Sequence, residues 1–599
     1  MTKESPDSYY SKRLITLSKQ QLQLKKKEKL WVVFRLITFI LIPISIYFLF
    51  HFPELLLPII LIELFIYLFG VNQSLKNKEE LRYYTNLISI NSNELKALKG
   101  DFSNFYDGAK WIDSKHPFSY DFDVFGKHSI YQYLNRCCSN KGCEELANRL
   151  SNGELNYIES QGAIEDLLNH LNWTQRFRAK SFLTEDEIKL VQLSEFVKHE
   201  FSLPNFYKIL GFIIPGVNIV LFILFYLNYI SPTVFLMAGF ISMIPLFLLM
   251  RRMKGFSHQI DTIEIVIKNM MHQVQILTEL KPLSERIIKI QSQLLNASLS
   301  ATKELSLLNT YVKQFGYRKN LLVGFLLNFF LAWDLQVSFK IIEWIKKNKS
   351  IVSAWEESLV DLEILICGAN FRFNNFNQTC YPLLNTNEES PIELISFGHP
   401  LIDKKDRISN NFQLKNKEQF VILSGPNMAG KSTFLRSIGI NLMLAKAGFP
   451  VIAKKFEFPF LHLYSSMRTS DDLTTNTSYF FAELIRLRFI VDAIEMNKGK
   501  VIIILDEILK GTNSRDKEIG SILFLKKLCD LGAKGIIATH DLKLTELAKK
   551  DNRFINLYFD STIENDQLHF DYQLRNGVAE NMNANFLMKK LKLIEFDEK

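Results

Sequence analysis

The residues best suited to chemistry lie in the stretch "GPNMAGKS", from Gly425 to Ser432, which fits the pattern G-x-x-x-x-G-K-[ST]. It follows the apolar run "FVIL" and precedes the helical pattern "TFLRSIGINLMLAKAG", an order that indicates a strand, a loop and a helix. In such a loop the glycines let backbone amides close around phosphate oxygens, and the helix start favours an anion. Lys431 can reach the terminal phosphates, and Ser432 can offer its hydroxyl to Mg²⁺. The stretch therefore predicts a site for a nucleoside triphosphate and Mg²⁺.

Two later strands predict the remaining parts of this site. The run "VIIILDE" ends in Asp506 and Glu507, where a sheet would present carboxylates beside the phosphate loop. Asp506 suits the Mg²⁺ shell, usually through water, and Glu507 suits the base that orients the attacking water. A further run, "GIIAT", brings His540 to a position from which an imidazole could contact the γ-phosphate. Together the motifs predict an ATP-hydrolysing site made of Gly425, Pro426, Asn427, Met428, Ala429, Gly430, Lys431, Ser432 and Thr433 for the nucleotide, Ser432 and Asp506 for Mg²⁺, and Glu507 and His540 for catalysis.

The elements around these motifs predict an α/β domain with a largely parallel sheet. From about residue 390, short β-rich runs such as "PIELISF" alternate with helical stretches to about residue 570. Upstream, residues 76–204 are mixed and helix-like, and residues 255–360 repeat apolar positions three and four apart. We therefore expect an α/β P-loop ATPase domain preceded by a mostly α-helical region.

Four apolar runs interrupt the helical region and predict two transmembrane hairpins. Residues 31–50 and 55–71 form one pair, and residues 209–230 and 232–250 form the other. Each run is near the roughly 20 residues that cross a bilayer. Lys and Arg gather on the outer flanks of both pairs, whereas the connectors "HFPE" and "NYISP" carry none. The positive-inside rule then predicts a multi-pass membrane protein with about four helices, its soluble domains and both termini being cytoplasmic. The alternative is that the runs are buried helices of a large soluble core.

The composition agrees with soluble domains joined to a membrane part, because 47% of residues are hydrophobic and 23% are charged. The net charge is +9, but the basic residues gather beside the apolar runs, so bulk charge is no argument for nucleic acid. The six cysteines lack a CxxC spacing, which predicts free thiols in a reducing cytosol. A cleavable signal peptide is not expected, since a polar segment precedes the first apolar run and a second run follows at once. Glu63, inside the second run, is interpreted either as a partner-contacting or proton-linked group or as an interior-facing residue.

These patterns divide the chain into six predicted segments. In chain order they are a basic cytoplasmic tail (1–30), transmembrane hairpin 1 (31–71), the first part of a helical core (72–204), transmembrane hairpin 2 (205–250), the second part of the helical lever or core (251–389) and the P-loop ATPase domain (390–599).

Several motifs of the C-terminal third resemble the ATPase domain of the DNA mismatch repair MutS family, from about Phe397 to Lys550. "GPNMAGKST" is nearly that family's phosphate-loop wording, "SDDLTTNTSYFFAEL" resembles its signature loop, "DEILKGTNSRD" its Walker B strand and turn, and "ATHDLKLTEL" its histidine switch. The resemblance implies a MutS/ABC-like domain that binds ATP and Mg²⁺ and pairs head to tail in a homodimer. Ser478 of one subunit would contact in trans the γ-phosphate held by the other, and Asn427 would help to position it. "FGHP" around His399 resembles a family segment to which no role is assigned.

The chain also departs from the family's pattern. Ala429, Leu509 and Lys510 stand where the family usually keeps Gly, Gly and Arg, and Asn476 replaces a signature-loop Gly. Phosphate binding should survive, because an alanine side chain is small and the key donors remain. The other changes bear on closure of the signature loop and on turnover.

Upstream, residues 120–153 resemble the opening of the family's helical core, the lever that joins the ATPase to the DNA clamp, through the pair Asn135 and Arg136. The family's N-terminal mismatch-reading domain carries a Phe-x-Glu wedge. Triplets of this kind at residues 52–54 and 481–483 lie in the hairpin turn and the signature loop and cannot be that wedge. Direct mismatch reading is therefore not expected.

The leading hypothesis is a membrane-anchored, dimeric MutS-like ATPase that couples ATP-driven closure to gripping DNA or a DNA-repair partner protein. Its DNA contacts would be mostly non-base-specific, through segments such as Lys346–Ser350 and Arg251–Gly255, which are otherwise explained as solvated helix ends and membrane flanks. An alternative of another class is an ABC-like ATPase that drives a conformational change in the membrane helices or a protein partner without binding DNA. A third is a nucleotide-gated tether with little turnover.

Overall fold

The computed structural model describes residues 4–154, 157–181, 192–199, 201, 203–252, 254–295, 300–385, 390–415, 417–468, 479–564 and 567–579. Its helices are α1 (Pro6–Leu49), α2 (Pro53–Leu98), α3 (Ile130–Leu134), α4 (Asn140–Asn152), α5 (Tyr157–Leu168), α6 (Leu171–Ser181), α7 (Leu193–Lys198), α8 (Asn205–Tyr226), α9 (Pro232–Arg252), α10 (Lys254–Leu277), α11 (Glu285–Leu295), α12 (Ala301–Gly316), α13 (Leu321–Leu331), α14 (Trp333–Asn374), α15 (Lys431–Lys446), α16 (Tyr479–Met496), α17 (Ser514–Asp530) and α18 (Leu547–Lys550). Its strands are β1 (Thr379–Cys380), β2 (Leu383–Asn385), β3 (Ile392–Phe397), β4 (Asn410–Leu414), β5 (Phe420–Ser424), β6 (Val451–Ile452), β7 (Lys455–Pro459), β8 (His462–Ser466), β9 (Val501–Asp506), β10 (Lys534–Ala538), β11 (Phe554–Tyr558), β12 (Thr562–Glu564), β13 (Gln567–His569) and β14 (Arg575–Asn576).

The long helices α1 and α2 pack side by side as hairpin 1. α1 begins at Pro6, behind Ser5, whose side chain accepts a hydrogen bond from a backbone amide of the first turn. Tyr10, Leu17 and Leu24, spaced seven residues apart, are buried, and this spacing is typical of a helix packed along one seam. With 44 residues, α1 is about 66 Å long. The described part of the predicted basic tail therefore belongs to the same helix as the first apolar run.

The apolar parts of α1, α2 and α8 have the length and composition of membrane spans. Their most apolar windows have mean hydropathies of 2.3, 2.2 and 2.4, and only 6%, 6% and 17% of those windows is buried within the structure. Such exposure is opposite to what buried helices of a soluble core would show. The described apolar part of α9, Pro232–Ile244, is shorter than a span. Inside hairpin 1, the Ser45 hydroxyl donates to Glu63 Oε1 over 2.6 Å, so Glu63 faces the neighbouring helix.

α8 and α9 form hairpin 2, and the apolar helix α13 packs against both. The Asn218 side chain of α8 donates a hydrogen bond to the Phe329 carbonyl of α13. A Cβ at Gly239 of α9 would lie 2.1 Å from the Phe329 ring, so the close approach of α9 and α13 depends on this glycine. α13 falls in the segment predicted as helical lever, because its eleven residues are too few to be recognised as a span.

The 42-residue helix α14 is the axis of the helical core, packed by α4, α5, α7, α11 and α12. α2 reaches the same core through Glu94, which is fully buried and accepts hydrogen bonds from Arg136 at 2.7 Å, Arg178 at 3.0 Å and Asn370 at 3.0 Å. Burial raises the pKa of Glu94, but the two guanidinium groups outweigh it and lower that pKa to about 2. This network joins α2, α6 and α14.

The described part of the α/β domain has a six-stranded sheet in the order β14-β11-β5-β10-β9-β8. All neighbouring pairs are parallel except that of β14 with β11, in agreement with the predicted largely parallel sheet. The register sets Leu423 of β5 and Asp506 of β9 on either side of Ala538 of β10. The carboxyl ends of these three strands therefore meet at one edge of the sheet. A second sheet, β2-β7-β3-β4, and two strand pairs, β1-β6 and β12-β13, complete the described β structure.

The β structure begins earlier than the predicted domain boundary at residue 390. β1 pairs with β6, and β2 pairs with β7, so both early strands belong to the α/β domain. They have only two and three residues, which is too short to give a recognisable alternation in the sequence.

Candidate nucleotide-binding site

The phosphate loop joins β5 to α15. All five residues of β5 are buried, and α15 begins at Lys431 directly after Gly430. Gly430 has a φ of 95° and Gly425 one of 146°, and a Cβ at Gly425 would lie 2.7 Å from the Phe559 carbonyl oxygen. Only glycine fits these positions without strain. The loop therefore closes tightly over the start of α15, where unpaired backbone amides favour an anion.

The Lys431 side chain lies across this loop. Its Nζ donates to the carbonyl oxygens of Gly425 at 2.7 Å and Pro426 at 2.8 Å, and it lies 3.3 Å from His540 Nε2. Burial lowers the pKa of Lys431 to about 8, while the nearby carboxylates that follow β9 act in the opposite direction. A phosphate beside the ammonium group would favour its charged form. Lys431 is thus positioned as the cation of a phosphate site.

Ser432 and Asp506 meet at the same edge of the sheet. The Ser432 hydroxyl donates to Asp506 Oδ2 over 2.6 Å. Ser432 lies in the first turn of α15 and Asp506 is the last residue of β9, so the strand order of the sheet brings them together. A hydroxyl and a carboxylate are hard oxygen ligands of the kind that Mg²⁺ prefers, with water completing its octahedral shell. The pair therefore fits a magnesium ion bound beside the phosphates.

Glu507 and His540 lie next to this pair. Glu507 has a φ of 53°, a strained conformation for a residue with a side chain, and its amide donates to the Ala538 carbonyl over 3.0 Å. Its Oε1 lies 3.6 Å from His540 Nε2, and its Oε2 lies 3.8 Å from Lys510 Nζ. Burial, followed by the charge of Lys431, lowers the pKa of His540, which favours the neutral form of the imidazole. A carboxylate beside a neutral imidazole can orient a water molecule and contact a phosphate.

These groups line a cavity of about 540 Å³. Its wall also contains Phe397, the first residue of the segment "FGHP", and residues that no sequence motif indicated: Ile402, Asp406, Ile408, Asn410 and Tyr572. They come from distant parts of the domain, and only the tertiary fold brings them to the phosphate loop. His399, singled out in the sequence without a role, lies in the same wall. Burial lowers the pKa of His399 to about 4, and its Nδ1 accepts a hydrogen bond from the Leu401 amide.

Most of the predicted site residues line this cavity, namely Asn427, Met428, Gly430, Lys431, Ser432, Thr433, Asp506, Glu507 and His540. Gly425 and Pro426 contribute carbonyl oxygens to Lys431 instead. Ala429 is buried outside the cavity wall, and its φ is not positive, so its Cβ is accommodated where the resembling family has glycine. Ser478, predicted to act in trans, and Asn476 lie outside the described residues.

The described residues of the signature loop lie in α16 and are hydrogen-bonded to the turn after β9. Glu483 in α16 is only 2% exposed and accepts hydrogen bonds from the amides of Leu509 at 2.6 Å and Lys510 at 3.1 Å. Leu509 has a φ of 59°, a conformation suited to the glycine that the resembling family keeps there. This conformation costs leucine about 1–2 kcal/mol. The amide bonds to Glu483 and the burial of the Leu509 side chain offset that cost.

A parallel sheet with a phosphate loop after β5 and two carboxylates at the end of β9, the next strand but one, defines a P-loop ATPase-type domain. Comparison with known families then identifies its kind, because the family model of MutS domain V matches residues 421–594. Residues 421–594 therefore belong to the MutS domain V family, which confirms the resemblance seen in the motifs of this region.

Curated relatives of this region are described as DNA mismatch repair protein MutS. The chain is 28% identical over 244 residues to that of Thermotoga sp. (strain RQ2), covering 40% of this chain and 30% of the relative. It is 31% identical over 186 residues to that of Natronomonas pharaonis, covering 30% and 21%. It is 29% identical over 195 residues to that of Bacillus subtilis (strain 168), covering 32% and 22%. The chain thus matches less than a third of the length of these three relatives.

Proposed function

We propose that this chain is a membrane-anchored MutS-like ATPase that acts as an ATP-dependent, dimeric DNA-binding clamp. The observation that carries the proposal is the convergence of Lys431, Ser432, Asp506 and Glu507 on one cavity. A nucleoside triphosphate with Mg²⁺ is the ligand that uses a loop cation, a pair of oxygen ligands and a water-orienting carboxylate together. Membership of the MutS family supports ATP hydrolysis as the general activity.

Each residue of the cavity has a role in this proposal. The loop amides and Lys431 bind the terminal phosphates, with Asn427 positioning the γ-phosphate. Ser432 and Asp506 hold Mg²⁺, which when bound neutralises charge that develops on the phosphate oxygens. Glu507 orients the attacking water and accepts its proton, and His540 contacts the γ-phosphate.

In this proposal two chains form a homodimer through their ATPase domains. Ser478 of the partner subunit reaches the γ-phosphate across the interface. ATP therefore stabilises the closed pair, and hydrolysis releases it, because a ligand shifts an equilibrium by its differential affinity for the two states.

DNA is the proposed partner of the closed pair, bound through its phosphate backbone. The relatives are DNA mismatch repair proteins, which motivates this choice. Lys346 and Lys349 are exposed within α14 rather than at a helix end, while Lys347 is paired with Glu304 over 2.6 Å. Exposed lysines suit contacts to phosphates but read no base sequence. Direct mismatch reading is not part of the proposal, and a DNA-repair protein is a further proposed partner.

Hairpins 1 and 2 are proposed to anchor the chain in a membrane, with the soluble domains and both termini in the cytoplasm. The exposed apolar helices and the basic flanks of the apolar runs support this arrangement. The protein should stay in the membrane pellet at high salt and at alkaline pH and be released by detergent. Release by salt alone would contradict the anchoring.

A second candidate is an ATPase that changes the conformation of the membrane helices or of a protein partner without binding DNA. Helix continuity favours it. α2 runs for 46 residues from the apolar hairpin to the helical core, and α14 runs for 42 residues from the apolar α13 to the strands of the α/β domain. Rigid helices of this length can transmit a displacement from the ATPase domain to the apolar elements.

The experiment that separates the two candidates measures DNA binding by the detergent-solubilised full chain. Fluorescence anisotropy is recorded with matched, mismatched and branched DNA, with and without ATP, at one fixed salt concentration. The clamp predicts DNA binding that changes with ATP. Hydrolysis of ATP without DNA binding near physiological salt would reject the clamp and favour the second candidate.

Glu507→Gln tests the site itself. Hydrolysis should fall roughly 10²- to 10⁴-fold, because the variant lacks the general base, while binding of labelled ATP persists. Glu495→Gln is the matched control, since Glu495 is an exposed carboxylate of the same domain, and it should leave both activities unchanged. A weak basal hydrolysis that Glu507→Gln hardly alters would instead support the nucleotide-gated tether.

A further inference from the structure

We propose that α13 is a re-entrant membrane helix, which enters the bilayer beside hairpin 2 from the cytoplasmic side and whose chain returns to that side in α14. This inference rests on the proposed membrane anchoring and adds to it an element outside the four predicted runs. The partner of the exposed α13 face is the lipid of the cytoplasmic leaflet.

The length and composition of α13 suit insertion without crossing. Its sequence, "LLVGFLLNFFL", has eleven residues and no charged side chain. A helix of this length extends about 16 Å, which is about half of the roughly 30 Å hydrocarbon core of a bilayer. Helices of 10–14 apolar residues are typical of buried, interfacial or re-entrant segments. Burial in the protein core is excluded by the exposure of its side chains.

The exposed side chains of α13 are apolar, which is the reverse of what a helix facing water shows. Leu322, Val323 and Leu326 are 71%, 40% and 46% exposed. The polar residues of the region are hidden instead, with Asn328 and Asp334 only 7% and 6% exposed and the Asp334 amide donating to Asn328 Oδ1 over 3.0 Å. Polar groups inside and apolar groups outside are the arrangement that a lipid environment favours.

Contacts with hairpin 2 make α13 continuous with the proposed spans. Asn218, fully buried in the middle of α8, donates to the Phe329 carbonyl, and the Ser242 hydroxyl of α9 donates to Asn218 Oδ1 over 3.0 Å. Phe325 and Phe240 approach within 5.8 Å between ring centroids. Interhelical hydrogen bonds and a close approach at glycine are the interactions that join helices in membranes. The three helices therefore form one apolar unit.

The flanks of α13 indicate that the chain enters and leaves on one side. Tyr317, before α13, stacks on Trp333, after it, with ring centroids 6.3 Å apart. Trp333 Nε1 donates to the Gln314 carbonyl of α12 over 2.8 Å, and Lys319 pairs with Asp261 of α10 over 3.2 Å. The helix axes of α13 and α14 differ by 80°. Aromatic and basic residues of this kind are typical of the membrane interface.

Depth-dependent quenching tests the insertion of α13. A small fluorescent amino acid is incorporated at Leu326 of the full chain, at Phe222 of α8 as the membrane control, or at Leu283, which is 83% exposed between helices of the soluble core. Each protein is reconstituted into phosphatidylcholine vesicles with or without brominated acyl chains. Bromine should quench the probes at positions 326 and 222 and spare that at 283. Quenching at 222 alone would overturn the re-entrant helix while leaving the anchoring intact, and quenching at neither position would reject the anchoring itself.

Sidedness is tested with Lys319→Cys and Lys340→Cys, which place thiols at exposed positions before α13 and within α14. A membrane-impermeant maleimide is applied to sealed vesicles of one orientation, with the unsubstituted chain as the background. Both positions should react from the same side as a cysteine introduced at Leu283. Reaction from opposite sides would show a bent transmembrane span and overturn the proposal.

Discussion

Replacing Glu94 by glutamine removes a negative charge from the point where α2, α6 and α14 meet. The carboxylate is fully buried and accepts two hydrogen bonds from Arg136, at 2.7 and 2.9 Å, and one from Arg178 at 3.0 Å. Asn370 and Asn374 each donate a further bond at 3.0 Å. A glutamine of the same shape leaves the two buried guanidinium groups without a counter-charge.

The size of the effect follows from the pKa shift of Glu94 and agrees with the cost of breaking other buried ion pairs. The pKa of Glu94 falls from 4.5 to about 2 on folding, which corresponds to about 3 kcal/mol of stabilisation at about 1.4 kcal/mol for each pKa unit. Removing one partner of a buried ion pair costs about 3–5 kcal/mol in other proteins. We therefore expect Glu94→Gln to destabilise the helical core by about 3 kcal/mol. For a cooperative unit of 150–250 residues this lowers Tm by about 6–12 °C.

Thermal unfolding of the purified chain in one detergent measures this difference. Glu144→Gln is the matched control, because Glu144 pairs with Lys110 in the same core but both side chains are nearly half exposed. An exposed pair contributes about 0–1 kcal/mol, so the control should keep nearly the Tm of the unsubstituted chain. The pH dependence gives a second readout. Since the pKa of Glu94 is lowered by folding, its contribution is present above pH 4.5 and is lost as the pH falls toward 2.

The difference in stability between the unsubstituted chain and Glu94→Gln should therefore shrink as the pH falls from 4.5 toward 2. Equal Tm values for Glu94→Gln and Glu144→Gln at pH 7 would refute the reasoning, because a buried ion network would then contribute no more than an exposed pair. A difference between the unsubstituted chain and Glu94→Gln that does not shrink between pH 4.5 and pH 2 would refute the electrostatic origin.

Three further outcomes follow from the contacts of the ATPase domain. Ser432→Ala removes the hydroxyl that donates to Asp506, so a Mg²⁺ titration of ATP hydrolysis should show a half-saturating concentration about tenfold higher or more; an unchanged requirement would argue against a ligand role. Asp121→Ala leaves the Ser465 hydroxyl and the Arg468 amide without the buried carboxylate that accepts from them at 2.6 and 3.0 Å, and denaturant unfolding should show a loss of about 2–3 kcal/mol. Asp123→Asn removes the charge from exposed ion pairs and keeps a residue type that tolerates the φ of 51° at this position, so it should cost less than about 1 kcal/mol in the same assay. Equal losses for the two variants would contradict the larger contribution assigned to the buried Asp121. Burial raises the pKa of Cys380 from 9.0 to about 11, so this thiol should react with Ellman's reagent at pH 8 about 100-fold more slowly in the folded chain than in urea, as judged against Cys380→Ser; equal rates would show that the thiol is not shielded.

The phosphate-binding half of the site could be predicted from the sequence because its determinants are local. A glycine loop between a strand and a helix sets its own geometry. Asp506 ends β9, Glu507 follows it, and His540 lies two residues after β10 of the same sheet. The rest of the cavity has no such signature. Asn410 of β4, for example, lines the cavity and donates a hydrogen bond to the carbonyl of Tyr572 over 3.0 Å, a contact between residues far apart in the sequence.

The fold shows the same division between local and long-range information. Long apolar runs in the sequence indicated the helices of the two hairpins. The alternation of short β-rich runs with helical stretches indicated the largely parallel sheet. α13 was not predicted as a membrane element because it is shorter than a span, although its apolar sequence was visible. Residues 6–30 belong to α1, and the seven-residue spacing of Tyr10, Leu17 and Leu24 in the sequence is the pattern that indicates a helix there.

The helix after the phosphate loop is fixed to the helical core near its middle and at its end, and this restricts how ATP can act. Gly439 of α15 packs so closely against the buried ring of Phe122 that a Cβ there would overlap it, and the carbonyl of Lys446, at the end of α15, accepts from the Glu154 amide over 2.8 Å. A displacement of α15 alone would break both contacts, so the ATPase domain and the core should move together when two ATPase domains close. Both functional candidates then share this first step and differ in what the moving cores act on. DNA binding, rather than hydrolysis, is therefore the measurement that separates them.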